Sequence, residues 1–164
     1  MAETLIVNKE LSVEEQYKGL IPQIKNLLSP ADELISNLSN CAAALKQSFD
    51  KISWVGFYLF NGDFLYVGPF QGKVACTTIK PGKGVCGTAA VKKETVIVPD
   101  VSKFPGHIYC DADSQSEIVV PILKKDGSLF GVLDLDSNKL NSFNETDKKF
   151  LEEICKFLTE EIIK

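Results

Sequence analysis

Three cysteines in the middle of the chain, Cys76, Cys86 and Cys110, are the residues best equipped to do chemistry. A thiolate is both a nucleophile and a redox group, and its reactivity follows its pKa and its exposure. Cys86 stands in Gly84-Val85-Cys86-Gly87-Thr88, at the start of an expected helix, where the helix dipole and free N–H groups stabilise a thiolate. A small residue filling tight helix–sheet packing is the competing reading of Cys86, and both stand. Cys110 lies in Gly106-His107-Ile108-Tyr109-Cys110-Asp111, beside the only histidine. A loop cysteine has no packing duty, so a functional role accounts for it better. Asp111 and Asp113 would raise its pKa unless His107 or a backbone donor offsets them. Cys76, in the strand-like Val74-Ala75-Cys76-Thr77, reads alone as a core residue and gains interest only beside Cys110. Cys41 and Cys155 fall on apolar helical stripes and read as small core hydrophobes.

The cysteine spacing does not support a metal. Structural zinc sites use close cysteine pairs, usually with a second pair or with histidines. Here the three central cysteines are widely spaced and the chain holds 1 histidine. A Cys-x-x-Cys redox motif is absent as well, so any disulfide would join residues far apart in sequence.

A second constellation is acidic and aromatic. Strand alternation puts Trp54, Gly56 and Tyr58 on one face of Trp54-Val55-Gly56-Phe57-Tyr58. It likewise puts Asp134 and Asp136 together in Val132-Leu133-Asp134-Leu135-Asp136. Glu117 precedes the continuously apolar Ile118-Val119-Val120-Pro121-Ile122-Leu123. If these strands are neighbours, one face carries two aromatic rings and three carboxyl groups, a cage for a small cation, with Gly56 leaving room beside them. The bland reading leaves both aspartates in water at a strand end. Aspartate is depleted in strands, and two on one face of an apolar strand favour a site.

The elements that must position these residues follow from hydrophobic period. Residues 12 to 28 read as a helix interrupted by Pro22, with Leu20, Ile21, Ile24, Leu27 and Leu28 apolar. Residues 31 to 48 read as a second, started by Ser29-Pro30, with Leu34, Ile35, Leu38, Cys41, Ala42 and Leu45 on its stripe. Strands Ile52 to Phe60 and Phe64 to Phe70 flank the turn Asn61-Gly62-Asp63, and Val74 to Ile79 reads as a third strand. A short helix spans 84 to 93 and a short strand 95 to 98. A long loop, 99 to 114, carries Cys110, and long loops in compact domains are often functional. A second hairpin, 117 to 123 with 129 to 135, precedes a last helix over 144 to 163, capped by Asn144 with Asp147. This order predicts an α+β domain: an antiparallel sheet with helices on one face.

Composition narrows the function. The chain has 164 residues, 45% of them hydrophobic, enough for one domain with a real core. Its net charge of -4 argues against nucleic-acid binding. No stretch approaches the roughly 18 apolar residues of a membrane span. The opening Met1-Ala2-Glu3-Thr4 lacks the order of a signal peptide, which suggests the cytoplasm, where thiols stay reduced. All 18 basic residues are lysine, so no guanidinium clamp exists, and an anionic ligand group must be held by backbone N–H groups or lysine.

From about Lys51 to Phe157 the chain resembles the free methionine (R)-sulfoxide reductase family, enzymes built on a GAF domain. The likeness is carried by Trp54-Val55-Gly56-Phe57-Tyr58, Gly68-Pro69-Phe70-Gln71-Gly72, residues 82 to 90 around Cys86, Val98-Pro99-Asp100-Val101, Phe104-Pro105-Gly106-His107-Ile108, Ser116-Glu117-Ile118-Val119-Val120-Pro121 and residues 131 to 137 around Asp134 and Asp136. The three cysteines separate this family from sensory GAF domains. The resemblance implies a single GAF domain over 1–164, with N-terminal helices over 1–50, sheet and active-site loops over 51–137, and the C-terminal helix over 144–163. It implies catalytic Cys110, Cys76 and Cys86, and substrate binding by Trp54, Tyr58, Glu117, Asp134 and Asp136. It further implies that free methionine sulfoxide is the substrate, that no cofactor or metal is needed, and that the protein is a homodimer. In the implied reaction Cys110 attacks the sulfoxide, Cys76 forms a disulfide with it, and thioredoxin restores the dithiol. A carboxyl group kept protonated by the crowding of like charges would supply the proton. Whether Cys110 or Cys86 is the nucleophile stays open. A ligand-binding GAF sensor and a thiol sensor without turnover are the alternative functions.

Overall fold

The computed structural model describes residues 4–164; the signal-peptide reading rests partly on Met1–Glu3, which lie outside them. Helices α1 (Val13–Leu27) and α2 (Leu34–Ser48) lead into strands β1 (Trp54–Phe60), β2 (Leu65–Gln71) and β3 (Thr78–Ile79). Helix α3 (Gly84–Lys92) and strand β4 (Val96–Val98) follow, then β5 (Ser116–Leu123), β6 (Leu129–Ser137) and α4 (Glu145–Phe157). The strands form one antiparallel sheet in the order β3-β2-β1-β6-β5-β4. The expected α+β architecture with an antiparallel sheet is present, except that α3 packs on the face opposite α1, α2 and α4 instead of all helices sharing one face.

Alternation divides the sheet into two faces. Val55 and Phe57 of β1, Ile118, Val120 and Ile122 of β5, and Leu133 and Leu135 of β6 pack against α1, α2 and α4. The opposite face, with Trp54, Tyr58, Val119 and Val132, packs against α3 through Val85, Cys86, Ala89 and Ala90. Cys41 and Cys155 are buried in the first core, as their stripes predict. Ile35 departs from its stripe and is 57% exposed. Where α1, the turn before β1 and α4 meet, buried Asp147 accepts from Tyr17 Oη at 2.9 Å and from Lys51 Nζ at 2.7 Å. Its other oxygen accepts from the Asn144 N–H, completing the expected capping box.

Several element bounds depart from the sequence reading, each for a local reason. Pro22 does not interrupt α1: the carbonyl it leaves without a partner belongs to exposed Lys18, and the buried stripe Tyr17-Leu20-Ile21-Ile24 holds the helix together. Helix α2 begins at Leu34, not after Ser29-Pro30, because the Asn37 side chain exchanges two hydrogen bonds with the Ser29 backbone and holds that segment as a turn. The third strand shrinks to Thr78–Ile79. Val67 N–H still donates to Thr77 O, but Pro69, two residues further along β2, has no N–H to extend the ladder. The last helix is regular only to Phe157 and closes in a wider turn over Leu158–Ile162, where Ile163 N–H reaches Leu158 O.

Candidate active site

Register assembles the site. Trp54 of β1 lies opposite Asp136 of β6, which lies opposite Glu117 of β5; Gly56 lies opposite Asp134. The three carboxyl groups and two aromatic rings therefore share the face away from α1, α2 and α4. Trp54, Tyr58, Cys86, Cys110, Glu117, Asp134 and Asp136 line one cavity, together with His107 and Ile108 from the long loop. Cys76 is bonded to Cys110 across 34 residues, with Cα atoms 5.4 Å apart. Both cysteines are half-buried; Cys110 lines the cavity, and Cys76 joins it through the bond.

The aromatic wall is rigid. Trp54 stacks between Tyr58 and Phe70, with ring centroids 5.9 and 5.3 Å away, and its indole N–H donates to Lys73 O at 3.1 Å. Tyr58 Oη donates to Cys76 O at 3.1 Å, which ties the wall to the disulfide. The expectation that Gly56 leaves room for a ligand is overturned. A Cβ there would lie 2.4 Å from Phe70 Cβ and 2.6 Å from the Trp54 ring. Glycine is needed at 56 so that the indole can lie flat over the strand.

The floor is a buried proton-sharing cluster. Cys86 Sγ–H donates to Asp134 Oδ2 at 3.2 Å, Ser114 Oγ–H donates to Asp136 Oδ1 at 2.8 Å, and Glu117 Oε2 shares a hydrogen bond with His107 Nε2 at 3.1 Å. Burial, then the charge of Asp136, pushes Glu117 well above the usual carboxylate range. Burial, then Asp136 and Glu117, does the same to Asp134. Asp136 rises to about 6, burial outweighing the Ser114 hydrogen bond and the nearby His107. Crowding of like charges is thus the secondary cause and burial the primary one, a correction to the sequence reading. Burial also lowers His107, against the opposing charge of Asp136.

The thiolate expectation for Cys86 is overturned too. It sits in the first turn of α3 but is 3% exposed, and burial followed by the charge of Asp134 pushes its thiol well above the usual value. Both the helix-packing reading and a functional contact hold for it, as a thiol. Asp111 and Asp113 do not face Cys110 as free charges: Lys73 Nζ pairs with both, and the backbone N–H of Asp113 holds Asp111 below the ordinary value.

Cys86, Glu117 and Asp134 each bring a ligand-type atom within 4.8 Å of the others. A metal there would need all three deprotonated. All three are deeply buried, and burial favours their protonated forms. Two residues of the site were not among the expected site residues. Ser114 is a loop serine like others, and His107 was notable only as the lone histidine near Cys110.

The match to the GAF domain family runs over residues 33–162. The chain is 54% identical over 159 residues to GAF domain-containing protein A of Dictyostelium discoideum, covering 96% of this chain and 99% of that one. It is 42% identical to the free methionine-R-sulfoxide reductase of Saccharomyces cerevisiae, covering 95% of this chain and 91% of the other. Among solved structures, a free methionine-R-sulfoxide reductase from Neisseria meningitidis in complex with its substrate superposes with a TM-score of 0.87 at 45% identity, covering 96% of this chain and 95% of that one.

Proposed function

The chain belongs to the GAF domain family and, within it, to the free methionine-R-sulfoxide reductases, and on that premise we propose that it reduces free methionine (R)-sulfoxide to methionine. One observation carries the reading: the Cys76–Cys110 disulfide stands beside a cavity floored by deeply buried carboxyl groups and walled by Trp54 and Tyr58.

In this reading Cys110, as the thiolate, attacks the sulfoxide sulfur. Glu117 or Asp134, held protonated by burial, donates to the sulfoxide oxygen as the S–O bond breaks. The hydroxyl passes to Cys110 Sγ as the S–S bond formed in the attack breaks, its electron pair leaving with the substrate sulfur, so methionine departs having gained two electrons and Cys110 becomes a sulfenic acid. The Cys76 thiol then attacks that sulfur, water departs, and the disulfide forms. A dithiol donor returns two electrons and two protons and becomes a disulfide itself. The role left for Cys86 is to hold Asp134 by its S–H, because burial disfavours its thiolate. The methyl group lies against Trp54 and Tyr58. Asp136, the most acidic of the three carboxyls, attracts the ammonium group. With no arginine in the chain, the proposal assigns the substrate carboxylate to Lys83 and the first-turn N–H groups of α3, whose residues line the cavity.

The proposal takes thioredoxin as the dithiol donor and the cytoplasm as the compartment. It takes the assembly as a homodimer formed through the first and last helices. No helix among the described residues is long and apolar enough to cross a membrane. Incubation with each sulfoxide epimer, thioredoxin, thioredoxin reductase and NADPH tests the reaction. Methionine formation from the R epimer alone is expected. No turnover of that epimer, or equal turnover of both, would overturn the reading.

A further inference from the structure

The cavity in this disulfide form has a volume of about 40 Å³. That is well below the roughly 300 Å³ at which ligand pockets begin. The open space in this form is small for a free amino acid. The space is taken by the loop that carries Cys110. His107 enters with its side chain 6% exposed and engages Glu117, itself 7% exposed. Ile108 packs on Gly84, where a Cβ would lie 3.1 Å from its side chain.

This filling is connected to the disulfide. His107 stands three residues before Cys110, and Cys110 N–H donates to Ile108 O at 3.1 Å, so 108–110 form a tight turn. The Cys76–Cys110 bond pins one end of that turn to the segment held by Tyr58. At the other end Gly106, with φ of 72°, turns the chain inward. His107 is poorly satisfied in its seat. Its Nδ1 is buried with no hydrogen-bond partner among the described residues, and Asp134 Oδ1 nearby is likewise orphaned. A polar ligand entering the cavity would satisfy what His107 cannot.

We propose that His107 is a gating residue that occupies the substrate's place on Glu117 whenever Cys76 and Cys110 are bonded, so that free methionine sulfoxide binds only the dithiol form. Reduction breaks the S–S bond with two electrons and two protons from a dithiol, which becomes a disulfide. The turn 108–110 is then untethered, and the sulfoxide exchanges with His107 at Glu117, one hydrogen bond for another. The gate orders the cycle: oxidised protein does not sequester substrate while it waits for its reductant. The inference rests on the proposed reductase function, because it takes the same cavity as the substrate site.

Calorimetric titration with free methionine (R)-sulfoxide tests it on three proteins: the oxidised wild type, Cys110→Ser, which can neither bridge nor attack, and oxidised His107→Ala. Cys110→Ser binds, the oxidised wild type binds at least about tenfold more weakly, and oxidised His107→Ala recovers most of that loss. Equal binding by oxidised wild type and Cys110→Ser overturns the gate and leaves the reductase reading intact. So does an oxidised His107→Ala that remains closed. No binding by Cys110→Ser overturns the reductase reading and the gate with it. If His107→Ala does not fold, the His107 ring resonances of the oxidised wild type and of Cys110→Ser decide the matter. A ring environment unchanged between the two, with sulfoxide present, overturns the gate.

Discussion

Cys86 gives its S–H to Asp134 Oδ2 at 3.2 Å, a contact that joins the first turn of α3 to the middle of β6. A cysteine at a helix start would ordinarily be read as an activated thiolate. Here burial against carboxyl groups makes it a proton donor.

Cys86 therefore separates by chemistry from Cys110. Cys86→Ser keeps a donor to Asp134 and retains kcat within about threefold, whereas Cys86→Ala leaves Asp134 without it and lowers kcat by about tenfold, the order of one lost hydrogen bond to a buried group. Mass mapping after one equivalent of sulfoxide still finds the 76–110 bridge in both variants. An 86–110 bridge in the wild type would reassign the resolving residue.

Loss of either bridged cysteine has a different signature. Cys110→Ser abolishes turnover. Cys76→Ser forms methionine once per protein and leaves a sulfenic acid on Cys110 that a dimedone-type reagent captures. Quantified methionine and intact mass check both. A Cys76→Ser protein that turns over repeatedly with thioredoxin would contradict the assigned order.

Asp136 links the site to stability. Burial raises its carboxyl from 3.8 to about 6, so the folded state keeps a proton that the unfolded chain has released. Its favourable contribution is complete below about pH 4 and is lost as pH rises through about 6. The shift is worth about 3 kcal/mol at most. Asp136→Asn, which does not titrate, should gain stability relative to the wild type as pH rises from about 4 to 7. Urea unfolding across that range measures it, and a constant difference between the two proteins would refute the assignment.

Gly56→Ala forces the Trp54 ring off Phe70, since the new methyl would overlap both. Overpacking of this kind costs about 1–3 kcal/mol. Because Trp54 is also cavity wall, KM for the sulfoxide rises more than kcat falls. Urea denaturation and steady-state kinetics together check it.

Tyr17→Phe removes one hydrogen bond to Asp147 while Lys51 and the Asn144 N–H remain. The expected loss is about 1–3 kcal/mol for a donor to a buried carboxyl group, with kcat unchanged. A large fall in kcat would mean that the helical layer communicates with the cavity.

Much of the site was legible because strand alternation is a local property. Trp54 and Tyr58 share a face, as do Asp134 and Asp136, whatever the rest of the chain does, and an antiparallel sheet needs only one register to bring Glu117 beside them. The apolar stripes placed Cys41 and Cys155 in the core on the same grounds, and the motifs around the three central cysteines carried the family likeness. What sequence could not supply depends on distances between residues remote in the chain. The seat of His107 on Glu117 and the filling of the Gly56 notch by Trp54 and Phe70 arise from packing between separate elements. The protonation of the floor was decided there as well: spacing shows where charges cluster, but the cost of stripping water from them is set by how completely the folded chain buries them. That is why, of the two readings open for Cys86, burial favours the packed thiol over the thiolate, and why burial rather than crowding leads in raising the carboxyl groups.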